Sequence, residues 1–130
     1  MIGEVGTVHC KSEKQRIVTK SSTEAELVAL SDSCNQGLHI RKFLQSQGYE
    51  IGAVVVYQDN LSCMALVARG RSAAEKIRHI DIRYFWVKER VDKGEVLVEH
   101  LGTENMYANV LTKSLQGAQY DREVKMLTGW

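Results

Sequence analysis

The chain is 130 residues long, 44% hydrophobic and 25% charged, with a formal net charge of +1. That size and balance suit one small globular domain with enough apolar residues for a core, and they exclude a global basic field, so any nucleic-acid contact needs a local patch. No apolar run is long enough to span a membrane and no signal peptide is present, while Cys10, Cys34 and Cys63 lack zinc spacing and point to a reducing intracellular compartment, cytoplasmic or nuclear.

In chain order, Val5 to His9 reads as one strand, followed by a polar turn from Lys11 to Arg16. A long helix is expected from about Ser22 to Gln47. Ser21 and Glu24 fit a capping box at its start, and Gly48 ends it. Leu27, Leu30, Cys34 and Leu38 share one face of this helix, with Gly37 lowering its local propensity. Glu24 suits the cap, which leaves Glu26 without a local role. Ala53 to Tyr57 is a β-branched run with the look of a strand buried on both faces. Asp59 follows at its carboxyl end, where open α/β sheets bind ligands.

Asn60 can cap a short helix from Leu61 to about Ala68, ended by Gly70. Ser72 and Glu75 make a second capping box. The helix after it places Ile77, Ile80, Tyr84, Val87 and Val91 on one face and stops at Gly94. Glu95 to Leu101 alternates as a strand. Thr103 caps a helix reaching Lys113, and a last helix spans about Gln119 to Leu127. Strand and helix alternate, so the fold class is α/β. On the third helix, His79, Arg83, Trp86 and Arg90 recur opposite the apolar face. An aromatic between cations can track a nucleic-acid backbone and stack on bases, although charged helix faces are ordinarily just solvated. Lys11, Lys14, Arg16 and Lys20 form a second basic group.

Four stretches carry a resemblance in order and spacing over roughly residues 10 to 120: Ser21-Ser22-Thr23-Glu24-Ala25-Glu26-Leu27-Val28-Ala29-Leu30, then Tyr57-Gln58-Asp59-Asn60, then Arg78-His79-Ile80-Asp81-Ile82-Arg83-Tyr84, then Ala108-Asn109-Val110-Leu111-Thr112-Lys113. They resemble the ribonuclease H domain of copia-type retrotransposon Pol polyproteins. The resemblance implies a ribonuclease H-like mixed sheet flanked by helices. It also implies that residues 1–130 are one partial domain, truncated at its amino end and lacking the first, central strand.

The chemistry implied is hydrolysis of the RNA strand in RNA–DNA hybrids, assisted by two Mg²⁺ ions about 3.5–4 Å apart in a carboxylate cluster. Glu26 matches the helix carboxylate and Asp59 the strand-end carboxylate, both metal ligands. Asn109 stands where the pattern has an aspartate, and the first aspartate has no counterpart. Without the resemblance, Glu26 would be read as a dipole-compensating residue and Asp59 as a turn residue. Asn109 offers a neutral oxygen, so Mg²⁺ binding should be weakened and cleavage by this chain alone lost. His100 reads as a surface histidine. The implied partners are an RNA–DNA hybrid or other nucleic acid and the rest of a Pol polyprotein, including reverse transcriptase. The alternative is a non-catalytic nucleic-acid-binding or protein-interaction module derived from the same domain, with Arg83, Trp86, Arg90, Lys14 and Arg16 as its contacts.

Overall fold

The computed structural model describes residue 7, residues 9–16, residue 19 and residues 21–69, 78–111 and 113–129. Of residues 69 and 78–80 it describes the backbone alone. The chain divides into two compact units. Ile17–His100 forms one, called here the sheet unit. Met1–Arg16 with Leu101–Trp130 forms the other, the terminal unit.

The sheet unit starts with helix α1 (Ser22–Ser46). Ser21 is extended, and its hydroxyl accepts the Glu24 N–H at 3.2 Å, which satisfies one of the free donors of the first turn. Leu27, Leu30 and Cys34 are buried on one face as their spacing predicts, joined by Val28, and Leu38 packs against them. The helix ends before Gly48, whose φ of 92° lies in the left-handed region that side chains other than glycine resist.

Strand β1 (Val54–Gln58) and strand β2 (Val96–His100) pair in parallel, with Val54 opposite Val96 and Gln58 opposite His100. Helices α2 (Leu61–Arg69) and α3 (Arg78–Asp92) lie between them in the chain. The fold is therefore mixed α/β, with a two-stranded parallel sheet and four α-helices among the described residues. Gly37 permits the contact of α1 with β1, since a Cβ there would come within 2.7 Å of Val54 Cγ1. The helix-propensity cost of this glycine thus allows a close approach to the sheet.

The expectation that β1 is buried on both faces is corrected. Val55 and Tyr57 are 42% and 52% exposed, and Leu97, opposite Val55, is 46% exposed. Val54, Val56, Val96 and Val98 instead face the buried cluster. An apolar run cannot itself distinguish one covered face from two, and here α1, α2 and α3 pack on one side of the register.

In the terminal unit, helix α4 (Gly117–Thr128) covers residues 119–127 as expected. The helix expected from Thr103 to Lys113 is corrected to two short 3₁₀ segments, Thr103–Asn105 and Tyr107–Leu111. Met106 between them leaves helical geometry with ψ at 89°. The Asn109 side chain donates to the Thr103 carbonyl at 2.8 Å, the local competition by which asparagine disrupts a continuous helix. Most of the expected Val5–His9 strand, the Ser72–Glu75 capping box and the Gly70 stop lie outside the described residues.

Candidate functional site

Glu26 sits early on α1 and is half-buried. Among the described residues its carboxylate makes no hydrogen bond and no ion pair. Its negative charge does reach Cys63 on α2: the Cys63 thiol is pushed up to about 11, first by burial and then by Glu26. Asp59 occupies the step between the end of β1 and the start of α2, and is also half-buried. α1 packs against both β1 and α2, the two elements that flank Asp59.

The turn around Asp59 is tied down from both sides. Gln58, just 6% exposed, accepts the Asn60 N–H on its side-chain oxygen at 3.0 Å. Asn60 in turn accepts the Cys63 N–H at 3.0 Å, which caps α2 as its sequence position predicts. Sequence reasoning passed over Gln58. The available signal was its parity: it follows Val54 and Val56 at strand spacing, so its amide points to the covered side.

Asn109 belongs to the terminal unit and is 6% exposed. Its side-chain nitrogen donates to the Thr103 carbonyl, and its backbone N–H donates to the Met106 carbonyl at 3.0 Å. A carboxylate at this position could not make the first of these bonds.

The cationic strip on α3 is tied into the sheet unit. Arg83 is bound to Asp32 at 2.6 Å and to the Ser31 hydroxyl at 2.7 Å, joining α3 to α1. Arg90 is paired with Glu95 at 2.9 Å and Glu89 at 3.6 Å, and it lies 5.7 Å from the Trp86 ring centroid. The bond from Arg90 holds the Glu95 carboxyl below its ordinary range. Trp86 is half-buried and packs against the apolar cluster, while Ile82 and Phe85 are the large hydrophobic residues exposed on α3 among the described residues. Lys14 and Arg16 are exposed in the terminal unit, and His100 is exposed at the end of β2. The side chain of His79 lies outside the described residues. Among the described residues, no three of His, Cys, Asp and Glu gather into a group that could hold a metal ion. No helix there is long and apolar enough to cross a membrane.

No family model and no solved structure matches the chain. Curated proteins do, among them three retrovirus-related Pol polyproteins. The retrovirus-related Pol polyprotein from transposon TNT 1-94 of Nicotiana tabacum is 33% identical over 108 residues, covering 83% of this chain and 8% of the relative. The corresponding polyproteins from transposons RE1 and RE2 of Arabidopsis thaliana are 31% and 30% identical over 105 residues, each match covering 80% of this chain and 7% of the relative. The chain thus spans less than a tenth of the length of the curated relatives it matches. This is a retroelement-derived chain, homologous over four-fifths of its length to a segment of copia-type, retrovirus-related Pol polyproteins.

Proposed function

We propose that this chain is the ribonuclease H segment of a copia-type Pol polyprotein, descended from a hydrolase of RNA in RNA–DNA hybrids and without appreciable cleavage activity of its own. Glu26 and Asp59 are its surviving metal ligands, and the adjoining polyprotein and a nucleic-acid hybrid are its partners. The observation that carries the loss of activity is the state of Asn109. It is buried and works as an amide donor to Thr103, a job the aspartate of the family pattern cannot do.

The donor set fits one Mg²⁺ ion better than a pair. Glu26 offers a half-buried carboxylate with no hydrogen-bond or ion-pair partner among the described residues. Asp59 offers a second carboxylate on an element packed against the same helix. One or two carboxylates with retained waters are a usual Mg²⁺ environment, whereas two adjacent ions bring four positive charges and need more anionic ligands. When bound, such an ion would supply Lewis-acid polarisation of a phosphate oxygen. Glu26 and Asp59 would orient it.

The test is a hybrid-cleavage assay on the 130-residue chain with Mg²⁺ or Mn²⁺, run beside Glu26→Gln and Asn109→Asp. The native chain and Glu26→Gln should be equally inert. Asn109→Asp should stay inert and lose about 1–3 kcal/mol of stability, because a carboxylate then faces the Thr103 carbonyl. Metal-dependent cleavage by the native chain that Glu26→Gln abolishes would overturn the proposal.

A further inference from the structure

From the turn between β1 and α2 we infer that Gln58 is a positioning residue for Asp59, fixing the carboxylate for a divalent cation through the backbone N–H of Asn60. The inference rests on the metal-ligand role proposed for Asp59 and names a residue that this role requires.

Gln58 is the last residue of β1, and its place in the alternation of Val54 and Val56 turns its amide towards the apolar cluster. A long polar side chain in that position has little reason to be there unless its polar atoms are paired. Its oxygen is paired with the Asn60 N–H at 3.0 Å, two residues ahead in the chain. Asp59 is the residue between them. With Gln58 held in the sheet by pairing opposite His100, this bond closes a short ring of chain around Asp59. The next bond, from the Cys63 N–H to the Asn60 side chain at 3.0 Å, anchors the far end of the same turn to α2. The backbone that bears Asp59 is therefore fixed to the strand on one side and to the helix on the other. A ligand carboxylate needs such support, because an ion that demands near-ideal octahedral geometry tolerates little wandering of its ligands. Loss of an outer residue that orients a metal ligand typically costs about 10–100-fold in affinity.

A merely structural role for Gln58 makes a different forecast. It would lower the melting temperature when the bond is lost and leave the folded protein's ion affinity alone. The experiment is Mn²⁺ binding to the 130-residue chain, read from water-proton relaxation, together with hydrogen exchange at the Asn60 amide and thermal melting. Gln58→Met keeps the bulk and removes the acceptor. Gln58→Leu likewise removes the acceptor at similar bulk, and serves if the Met variant fails to fold. Gln58→Glu restores an acceptor oxygen at the native length.

The expected result is that Met or Leu weakens Mn²⁺ binding by roughly tenfold and speeds exchange at Asn60, and that Glu returns exchange to the native rate. Native affinity in a folded Met or Leu variant, with Asp59→Asn still abolishing binding, would overturn the positioning role and leave the metal-ligand role of Asp59 standing. If the native chain binds no more Mn²⁺ than Asp59→Asn does, the metal-ligand reading itself falls, and the inference with it.

Discussion

In the sheet unit, Leu27, Val28, Leu30, Cys34, Cys63, Val67, Tyr84, Val87 and Val96 make one buried apolar cluster. In the terminal unit, the described residues buried to the same degree are Asn109 and Glu123, both polar. The contrast teaches how each unit is held. Apolar burial is non-directional and tolerates local variation in chemistry. Polar burial depends on each atom finding its partner, so each such residue is tied to one local arrangement. Glu26 and Asp59 stand on the apolar scaffold, which can carry carboxylates at its margin without relying on them. Asn109 stands in the polar interior, where it is part of what holds the turn.

The largest expected effect tests that difference directly. Leu27 is fully buried, so Leu27→Ala should cost about 2–5 kcal/mol through lost transfer energy and the cavity it leaves. Leu127 on α4 is half-buried, and Leu127→Ala should cost about 1 kcal/mol. Native-state hydrogen exchange reports each unit separately. Equal costs in the two units would break the comparison.

A smaller effect should appear at high pH, confined to the sheet unit. Burial pushes the Cys34 and Cys63 thiols from an ordinary 9.0 up to about 11, and their mutual proximity adds to this at Cys34. A raised value means that the folded state holds its proton more tightly than the unfolded one. The stabilisation is complete below about 9 and is lost as pH rises from about 9 to about 11. The sheet unit should lose on the order of 2 kcal/mol per thiol across that window. Replacing both cysteines with alanine should flatten this part of the curve, as followed by denaturant unfolding at stepped pH. An unchanged slope would show that other groups drive the alkaline transition.

How much of this was legible in the sequence differs between the units for the same reason. The capped start of α1, its stop at Gly48, the stop of α3 at Gly94 and the apolar faces of both helices follow from periodicity and backbone freedom, which are local properties. The 3₁₀ break was hidden because it depends on one side chain, Asn109, reaching back to Thr103. The fate of Arg83 was hidden because Asp32 lies 51 residues away in the chain. Gly37 read as a weak point in a helix, and its use became visible once Val54 was known to pack against it. At the candidate site, Glu26, Asp59 and Asn109 came from a pattern of residues. Gln58 emerged from burial and a hydrogen bond, because strand parity marks a side as covered only once the sheet and its helices are known.

The smallest effect expected lies at Glu123, the other buried polar residue of the terminal unit. Glu123 is fully buried on α4, and one of its carboxylate oxygens accepts the Gln119 side-chain N–H at 3.0 Å. The other oxygen is buried without a hydrogen-bond partner among the described residues. A buried carboxylate with one oxygen unpaired is more costly than a neutral amide of the same shape, because the desolvation of the charge is repaid by a single bond. Glu123→Gln keeps an oxygen for Gln119 and leaves at most an unpaired neutral donor. Lost charge assistance in the surviving bond works against the gain, so the net should be small, about 1 kcal/mol of added stability. The gain should appear as slower hydrogen exchange in α4, with the helices of the sheet unit unchanged. A loss of similar size would mean that the negative charge at Glu123 contributes to holding this unit together, and would place the terminal unit among structures stabilised by a buried ion rather than by paired neutral groups.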